Sequence, residues 1–408
     1  MASNQVSASP IVLAKRAAVL KPSPILMLAA RAGELKAAGN DVISLSIGEP
    51  DWTPYDRIKE AAIASIREGK TKYTPASGIP ELKKAIADQA LTDLGLAYEL
   101  SQVTVSSGAK FVLFAALQAI VNPGDEVILV APFWASYTTM VELAEGVPKI
   151  VVCDKASDFK LTPKILAAAI TPRTKVILMN SPSNPTGKIY SREELSALAE
   201  VLRANPHVAV ISDDIYNRLC FEHKLAPHLL HVAPDLRERV ICLNGASKSY
   251  AMTGWRLGWA LGPKAVINAM SSYQSQSVSC PNSMAQYAAI TAIRECDDDV
   301  ARTVVSLKDR CKSLVAALEK VPGVKVAYPE GAFYLWIDIS AHMGKSLNGK
   351  KLATSDDLSE AFLMDQMVAA VPGSEFGLDG YFRLSYALSK EKALEAVSRM
   401  SAFFAKLT

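Results

Sequence analysis

Short apolar segments alternate with amphipathic segments through the middle of the chain. Five of the apolar segments are rich in Val and Ile and end in polar or small residues: VTVSSGAK, VILVAPFW, VILMNSPSNPTG, VAVISDDIY and VICLNGASK. The segments between them have the spacing of helices. Because parallel strands that are buried on both faces read as continuous apolar runs, this alternation predicts a mainly parallel sheet covered by helices on both sides.

The pattern changes near residue 300, where a long helical segment is followed by two strand-like segments and further helices. Strands grouped with packed helices predict a separate α+β domain, and we expect the N-terminal segment to pack on it. The predicted division is a large domain of residues 51–296 and a small domain of residues 10–50 and 297–408. At the start of the large domain, Thr53 and Pro54 predict the N-cap and first turn of a helix.

The carboxyl ends of the predicted parallel strands carry most of the candidate chemistry. Ligands of such sheets bind at that rim. The five strand ends deliver Gly108, Trp134, Asn184, Asp213 with Tyr216, and Lys248. The set carries more weight than any one motif, because each residue alone has an ordinary structural explanation.

Lys248 and Asp213 indicate carbonyl chemistry. Lys248 stands among small and apolar residues in NGASKSYAMTGWRLGW, and a lysine amine in an apolar pocket has a lowered pKa and can attack a carbonyl carbon. Asp213 follows a buried strand, where a carboxylate could keep a pyridine nitrogen protonated. The alternatives are a solvated lysine after a strand and an aspartate that caps a helix or forms a salt bridge. On these residues alone, both alternatives stay open.

The remaining rim residues suit other groups of a planar, phosphorylated ligand. Asn184 and Tyr216 could donate hydrogen bonds to a phenolate-type oxygen, or they could belong only to turns. Gly108 precedes a helix whose free N–H groups suit a phosphate. Ser247 and Arg256 could add a hydroxyl and a guanidinium fork.

Composition narrows the class of protein. The chain has 408 residues, a formal net charge of +3 and 21% charged residues without a block of like charge, so it has no electrostatic footprint for nucleic acid or an anionic membrane. The six cysteines are scattered, which indicates reduced thiols. The polar N-terminus is no secretory signal, and the apolar run FVLFAALQAIV is too short to span a bilayer. We therefore expect a cytoplasmic protein.

One cluster suggests a metal and is set aside. The segment CFEHKLAPHLLH places Cys220, His223, His228 and His231 close together. No second ligand pair with the usual spacing accompanies them. The segment is interpreted as a surface loop, and no metal site is predicted.

Four dispersed motifs, SKSYAMTGWRLGW, NSPSNPTG, SDDIY and YFRLSYA, resemble the signature segments of pyridoxal-phosphate aminotransferases of fold type I. In particular, they are similar to those of bacterial aspartate aminotransferases that carry AMTGWR. The resemblance runs from about residue 15 to the C-terminus. It implies an α/β fold with a mainly parallel seven-stranded sheet in the large domain and a smaller α+β domain. It also implies ping-pong transfer of the amino group of aspartate to 2-oxoglutarate through an aldimine at Lys248.

The resemblance implies roles for the matching residues. Lys248, Asp213 and Tyr216 would be catalytic: Lys248 binds the pyridoxal 5'-phosphate aldehyde carbon and moves a proton between the substrate Cα and C4′, and Asp213 pairs with the pyridine nitrogen. The implied cofactor-binding residues are Tyr73, Gly108, Ala109, Lys110, Trp134, Asn184, Asp213, Tyr216, Ser247, Lys248 and Arg256. Tyr73 would reach the phosphate in the neighbouring subunit, which implies a homodimer with a shared active site.

The implied substrate-binding residues are Ser23, Gly48, Lys110, Trp134, Asn184 and Arg383. Arg383 would clamp the α-carboxylate bidentately with help from Asn184 and the backbone at Gly48. At the far end of a dicarboxylate, Lys110 would offer a charge and the Trp134 indole a donor, beside Ser23.

Several alternatives remain. Lys110 could be a solvated residue, although a cation in the first turn of a helix opposes the helix dipole, which favours a functional reason. Trp134 could simply pack in the core. Pro24 and Ile25 stand where related enzymes often have Ala or Lys and then Thr, so activity on prephenate stays open. Broader or aromatic specificity, a C–S lyase on the same fold, and a non-enzymatic cofactor-binding regulatory module are the other readings.

Overall fold

The computed structural model describes residues 11–18, 20 and 22–408. Its strands are β1 Ile43–Ser44, β2 Val103–Ser106, β3 Glu126–Ala131, β4 Val147–Val152, β5 Thr174–Asn180, β6 Ala209–Asp213, β7 Val240–Gly245, β8 Gly258–Leu261, β9 Lys325–Ala327, β10 Tyr334–Asp338, β11 Ser346–Leu347, β12 Lys350–Lys351, β13 Val368–Ala369, β14 Val371–Pro372 and β15 Tyr381–Ser385. Its α-helices are α1 Lys15–Ala18, α2 Pro24–Ala37, α3 Asp56–Arg67, α4 Pro80–Leu94, α5 Ala109–Ile120, α6 Ser136–Leu143, α7 Pro163–Ala169, α8 Arg192–Ala204, α9 Leu229–Val232, α10 Lys264–Ser275, α11 Ser283–Glu295, α12 Asp297–Leu318, α13 Ser355–Gln366 and α14 Lys390–Ala405.

Seven strands form one sheet in the order β2-β8-β7-β6-β5-β3-β4. Strand β8 runs antiparallel to both of its neighbours, and the other adjacent pairs are parallel. The prediction of a mainly parallel seven-stranded sheet is confirmed. The parallel strands β2, β3, β5, β6 and β7 therefore end at the same edge, where the candidate residues were expected.

The sheet separates two apolar cores. Val127 and Val176 pack with α5, α6 and α10 on one face. Their neighbours Ile128 and Ile177 pack on the other face, in the core that includes α4, α8 and α11. Since successive side chains of a strand point to opposite faces, burial of both faces explains why these strands read as unbroken apolar runs.

A second sheet, with the order β14-β15-β10-β9, is antiparallel throughout. Near it, β1 from the N-terminal part pairs in parallel with β13 from the C-terminal part, with Ile43 opposite Val368. This pairing supports a small domain built from both ends of the chain. The division into residues 51–296 and residues 10–50 with 297–408 stays a prediction, and residue 10 lies outside the described residues.

One predicted helix start is wrong. Helix α3 begins at Asp56 with Tyr55 at the N-cap, rather than at Thr53. The Tyr55 carbonyl accepts the first hydrogen bond of the helix, from the Ile58 N–H at 2.9 Å, and the Tyr55 hydroxyl lies 2.9 Å from Thr303 Oγ1 in a contact distant along the chain. Asp56 supplies the negative charge that the first turn prefers. Among the described residues, no helix combines the length and the apolar character that a membrane crossing requires.

Candidate active site

A cleft of about 400 Å³ opens at the carboxyl edge of the large sheet. Twelve of the fourteen residues predicted from the sequence line it: Ser23, Gly48, Ala109, Lys110, Trp134, Asn184, Asp213, Tyr216, Ser247, Lys248, Arg256 and Arg383. Gly108 is not itself a lining residue, but it precedes Ala109 and lies close to Arg256, which both line the cleft. Tyr73 does not line the cleft of its own chain, and it is 91% exposed.

Lys248 follows β7 by three residues and reaches across to the N-terminal part of the chain, where its Nζ donates a hydrogen bond to the Gly48 carbonyl. Burial lowers the pKa of Lys248 to about 8, against 10.5 for an ordinary lysine. The positive charges of Arg383 and Arg256 lower this pKa further, while Glu49 opposes them. The amine is therefore far easier to deprotonate near neutral pH than a solvated lysine, as a nucleophile or a base requires.

Asp213 is the last residue of β6, and it is buried. The Tyr137 hydroxyl donates to its Oδ2 at 2.7 Å, and the Ile215 N–H donates to its Oδ1 at 3.3 Å. Burial raises the pKa of Asp213 to about 6, and the Tyr137 hydrogen bond offsets part of that rise. Asp213 forms no ion pair with any residue in the described part of the chain, so its carboxylate suits a cationic ligand group.

Arg383, on β15, is a buried guanidinium that lacks a carboxylate partner among the described residues. Only 2% of it is exposed. Its Nη1 donates to Asn184 Oδ1 at 3.2 Å, its Nη2 donates to the Ser46 carbonyl, and its Nε has no partner. A buried, uncompensated guanidinium is costly unless an anion completes it. The arrangement therefore fits a carboxylate ligand.

Tyr216 and Tyr334 meet in the same region. Their hydroxyl oxygens lie 2.7 Å apart, and both rings are buried. Burial raises the pKa of the Tyr216 hydroxyl well above its ordinary value. A neutral hydroxyl that keeps its proton can donate a hydrogen bond to a ligand oxygen.

The N-terminus of α5 contributes to the cleft through Ala109. Gly108 has a φ of +90°, which L side chains rarely adopt, and a Cβ at this position would lie 2.6 Å from Arg256 Nη2 and displace the guanidinium. Arg256 Nη1 donates to the Thr253 carbonyl at 2.8 Å, and Arg256 forms no ion pair with a described residue. Ser247 is buried beside it. Free helix N–H groups, a hydroxyl and an unpaired guanidinium together fit a phosphate.

Lys110, in the first turn of α5, lies beside Trp134 in the cleft. The Lys110 amine is 4.9 Å from the centre of the Trp134 ring, a distance typical of a cation–π contact. Partial burial lowers the pKa of Lys110, and the charge of Arg256 lowers it further. The Trp134 ring also meets the Tyr137 ring edge to face at 5.5 Å, so it is packed against neighbours and faces the cleft as well.

Among the cleft residues that the sequence analysis did not predict, three stand out because they form hydrogen bonds with predicted residues. Tyr137 lies three positions after Trp134, Asn180 ends β5, and Tyr334 lies on β10. Their roles depend on partners from other elements, namely Asp213 and Tyr216. Of the three, only Asn180 could have been predicted from the sequence, because it lies at the carboxyl end of a predicted parallel strand.

The histidine-rich segment is not the surface loop that was expected, because Cys220 and His228 are buried. His228 joins Asp214 and Cys242 in a buried cluster whose polar atoms lie within 4.8 Å of one another. However, His228 Nδ1 accepts the Leu230 N–H at 3.0 Å. In neutral His228 the proton is therefore on Nε2, which faces Asp214 Oδ2 at 3.4 Å. This tautomer favours a hydrogen-bonded pair over a metal ligand.

Comparison with known proteins agrees with this geometry. The family model for aminotransferase class I and II matches residues 40–400. The chain is 47% identical over 390 residues to an aspartate/prephenate aminotransferase of Cereibacter sphaeroides, which covers 95% of this chain and 98% of that protein. It is similar to the crystal structure of the aspartate aminotransferase of Rhizobium meliloti, with a TM-score of 0.94 and 42% identity over 98% of this chain and 100% of the other. The corresponding Thermus thermophilus structure with maleate gives a TM-score of 0.90 at 38% identity, covering 96% of this chain and all of that one.

Proposed function

The chain belongs to the class I and II aminotransferases and is a pyridoxal-phosphate-dependent enzyme; from this premise we propose that it transfers the amino group of aspartate to 2-oxoglutarate, giving oxaloacetate and glutamate. Relatives at 42% to 47% identity are named aspartate or aspartate/prephenate aminotransferases. Amino acids and 2-oxo acids are the substrates expected for this family.

The observation that carries the proposal is the set of uncompensated charges in one cleft. The Arg383 guanidinium has no carboxylate, and the Asp213 carboxylate has no cation. The Lys248 amine has a pKa lowered to about 8. These are the groups that an amino acid carboxylate, a pyridine nitrogen and an aldehyde would complete.

The residues present fit the cofactor. Gly108, Ala109, Ser247 and Arg256 would hold its phosphate, and Asp213 would pair with its ring nitrogen. The 3′-oxygen would accept hydrogen bonds from Asn184 and Tyr216, and Trp134 would stack on the ring. When bound, pyridoxal phosphate supplies an aldehyde that condenses with amines and a ring that delocalises the electron pair left at the substrate Cα.

Lys248 would act first as the amine that holds the cofactor and then as the base at the substrate Cα. Its lowered pKa places the proton-accepting form within reach at physiological pH. The same nitrogen, once protonated, would return the proton in the second part of each half-reaction. The apolar wall formed by Phe333, whose ring centre is 5.9 Å from Nζ, limits competing solvation of the amine.

Substrate orientation would come from the two ends of the amino acid. Arg383 would bind the α-carboxylate, and Asn184 already holds this guanidinium in place. Lys110, the Trp134 indole and Ser23 would meet the distal carboxylate of a dicarboxylic substrate.

A homodimer with a shared active site is part of the proposal. Tyr73 is 91% exposed and is not among the residues that line the cleft of its own chain. This position suits a residue that reaches the phosphate in a partner subunit. Sedimentation velocity should show a dimer, and Tyr73→Phe should release the cofactor faster. A monomer with full activity would contradict this part. We also propose a cytoplasmic location, which fractionation of the source cells would test.

The test of the activity is direct. The purified yellow protein, mixed with aspartate and 2-oxoglutarate, should form oxaloacetate and glutamate in equal amounts. Borohydride should fix the cofactor to Lys248, and Lys248→Ala should lose transamination while it retains some cofactor. Pyruvate and ammonia from a cysteine conjugate, with no amino transfer, would instead indicate a lyase.

Activity on prephenate or aromatic substrates is a second candidate. Ile25, Leu26 and Ile47 give the cleft an apolar wall near its mouth, and relatives at 46% and 47% identity are named aspartate/prephenate aminotransferases. The measurement is kcat/KM for the amino acceptors prephenate, phenylpyruvate, 2-oxoglutarate and pyruvate, each with aspartate as the donor. A value for prephenate below that for pyruvate would exclude this candidate.

A further inference from the structure

Asn180 connects residues that the proposed function assigns to different parts of the ligand. It is the last residue of β5, and its Cα partner in the sheet is Asp213, the last residue of β6. Asn180 Nδ2 donates to the Asp213 carbonyl at 2.7 Å, and Asn180 Oδ1 accepts the Asn184 N–H at 2.8 Å. A carbonyl can only accept and a backbone N–H can only donate, so these partners determine which way the amide faces.

The chain of contacts continues to the substrate end of the cleft. Asn184 Oδ1 accepts a hydrogen bond from Arg383 Nη1 at 3.2 Å. Asp213, Asn180, Asn184 and Arg383 therefore form one connected series. It runs from the backbone of the residue that presents the carboxylate for the ring nitrogen to the guanidinium for the substrate carboxylate.

The position of Asn180 explains why a side chain is needed there. The β5–β6 ladder stops at the pair Asn180 and Asp213, so no further strand residue is available to hold the Asp213 carbonyl. The Asn180 amide takes the place of the next ladder hydrogen bond. At the same time it anchors the turn that presents Asn184 four residues later.

We propose that Asn180 is a positioning residue that fixes Asp213, Asn184 and Arg383 relative to one another. This inference rests on the proposed function, because it concerns how accurately the chain presents these groups to cofactor and substrate. Asn180 acts through its neighbours and needs no contact with the reacting atoms. Pre-positioned groups lose less orientational freedom when the ligand binds, so both cofactor retention and substrate binding depend on this amide.

Two substitutions separate the two hydrogen bonds of the amide. Asn180→Ala removes both. Asn180→Asp keeps an oxygen that can accept the Asn184 N–H, but it loses the donor to the Asp213 carbonyl. The matched control is Asn244→Ala, one residue before the end of β7, which lies on the other side of β6 from β5. The Asn244 side chain donates to Asn217 Oδ1 at 3.2 Å and accepts the Gly245 N–H at 2.7 Å, and it is not among the residues that line the cleft.

The measurements use the holoenzymes. The rate of cofactor loss on dialysis and the pH midpoint of the bound cofactor's visible absorption report on Asp213, and KM for the amino acid reports on Asn184 and Arg383. For Asn180→Ala we expect cofactor loss to be roughly tenfold faster, since the binding free energy lost is about that of one net hydrogen bond. We also expect a shifted pH midpoint and a raised KM. For Asn180→Asp we expect the shifted midpoint with a KM near that of the wild type.

The outcomes separate the inference from the proposed function. If Asn180→Ala matched the wild type and Asn244→Ala in cofactor loss, pH midpoint and KM, with only its melting temperature lowered, Asn180 would have a structural role alone and the inference would be wrong. Should Asn180→Ala fail to fold, the Asn180→Asp holoenzyme decides by the same measurements. A wild-type protein that bound no cofactor would instead refute the proposed function itself.

Discussion

Replacing Lys248 by methionine should stabilise the cofactor-free protein at neutral pH while it abolishes transamination. The lysine amine is held in a partly buried position beside Gly48 and Phe333, and burial disfavours its charged form. Methionine has a similar length and no charge, so it removes the penalty and keeps most of the packing. The residue that the chemistry needs is thus expected to be a source of instability in the fold.

The size of the expected gain in the free energy of unfolding follows from the pKa of Lys248. The pKa of Lys248 falls from 10.5 in the unfolded chain to about 8 in the fold, and each pKa unit corresponds to about 1.4 kcal/mol. Below pH 8 the amine is charged in both states, and the full penalty of about 3 kcal/mol applies. Between pH 8 and 10.5 the unfolded chain binds more protons than the fold, so wild-type stability rises with pH and the penalty disappears.

Urea denaturation of both cofactor-free proteins at several pH values tests this reasoning. The stability difference between Lys248→Met and the wild type should shrink by about 3 kcal/mol from pH 7 to pH 11. Loss of the hydrogen bond to Gly48 subtracts about 1 kcal/mol at every pH, so it does not alter the slope. A stability difference that stayed constant across this range would refute the claim that the buried amine is destabilising.

Three further predictions concern the cleft. Arg383→Lys should lower kcat/KM for aspartate by roughly a hundredfold, because a point charge cannot replace a buried bidentate guanidinium. Steady-state kinetics measure this loss, with the cofactor absorbance unchanged as the control. An unchanged kcat/KM would contradict the role of Arg383 in binding the substrate carboxylate. Lys110→Ala should lower kcat/KM for aspartate roughly tenfold and leave kcat/KM for alanine unchanged. An equal loss for both substrates would show that Lys110 does not bind the distal carboxylate. Tyr137→Phe removes the hydrogen bond that holds down the pKa of Asp213, now about 6, so the acid limb of cofactor binding should move to higher pH. A titration of cofactor absorbance at pH 5 to 8 measures the shift, and an acid limb at the wild-type pH would show that this hydrogen bond does not control Asp213.

The residues at the carboxyl edge of the sheet were predictable from the sequence, because parallel strands all end at the same edge. Once apolar runs such as VAVIS are read as parallel strands, Asp213 and Lys248 must emerge at the same edge. The structure places both in one cleft with Asn184 and Trp134. Local rules were less reliable where tertiary contacts compete, as at Thr53, which does not cap α3.

The contacts between the two ends of the chain were not predictable in the same way. Lys248 meets Gly48, which lies 200 residues earlier, and Arg383 is held by Ser46 and Asn184. No periodicity in the sequence encodes such distances. They follow from the pairing of β1 with β13, which brings the N-terminal segment beside the C-terminal sheet.

The amino-acid sequence by itself therefore determined the mainly parallel sheet and the residues at its carboxyl edge, because strand period and burial are local properties of the chain. Only the tertiary structure decided which of those residues are held, and by what. Asn180, Tyr137 and Tyr334 are ordinary polar residues until partners from other elements meet them. Burial is likewise a property of the whole fold, and it is burial that lowers the pKa of Lys248 and raises that of Asp213.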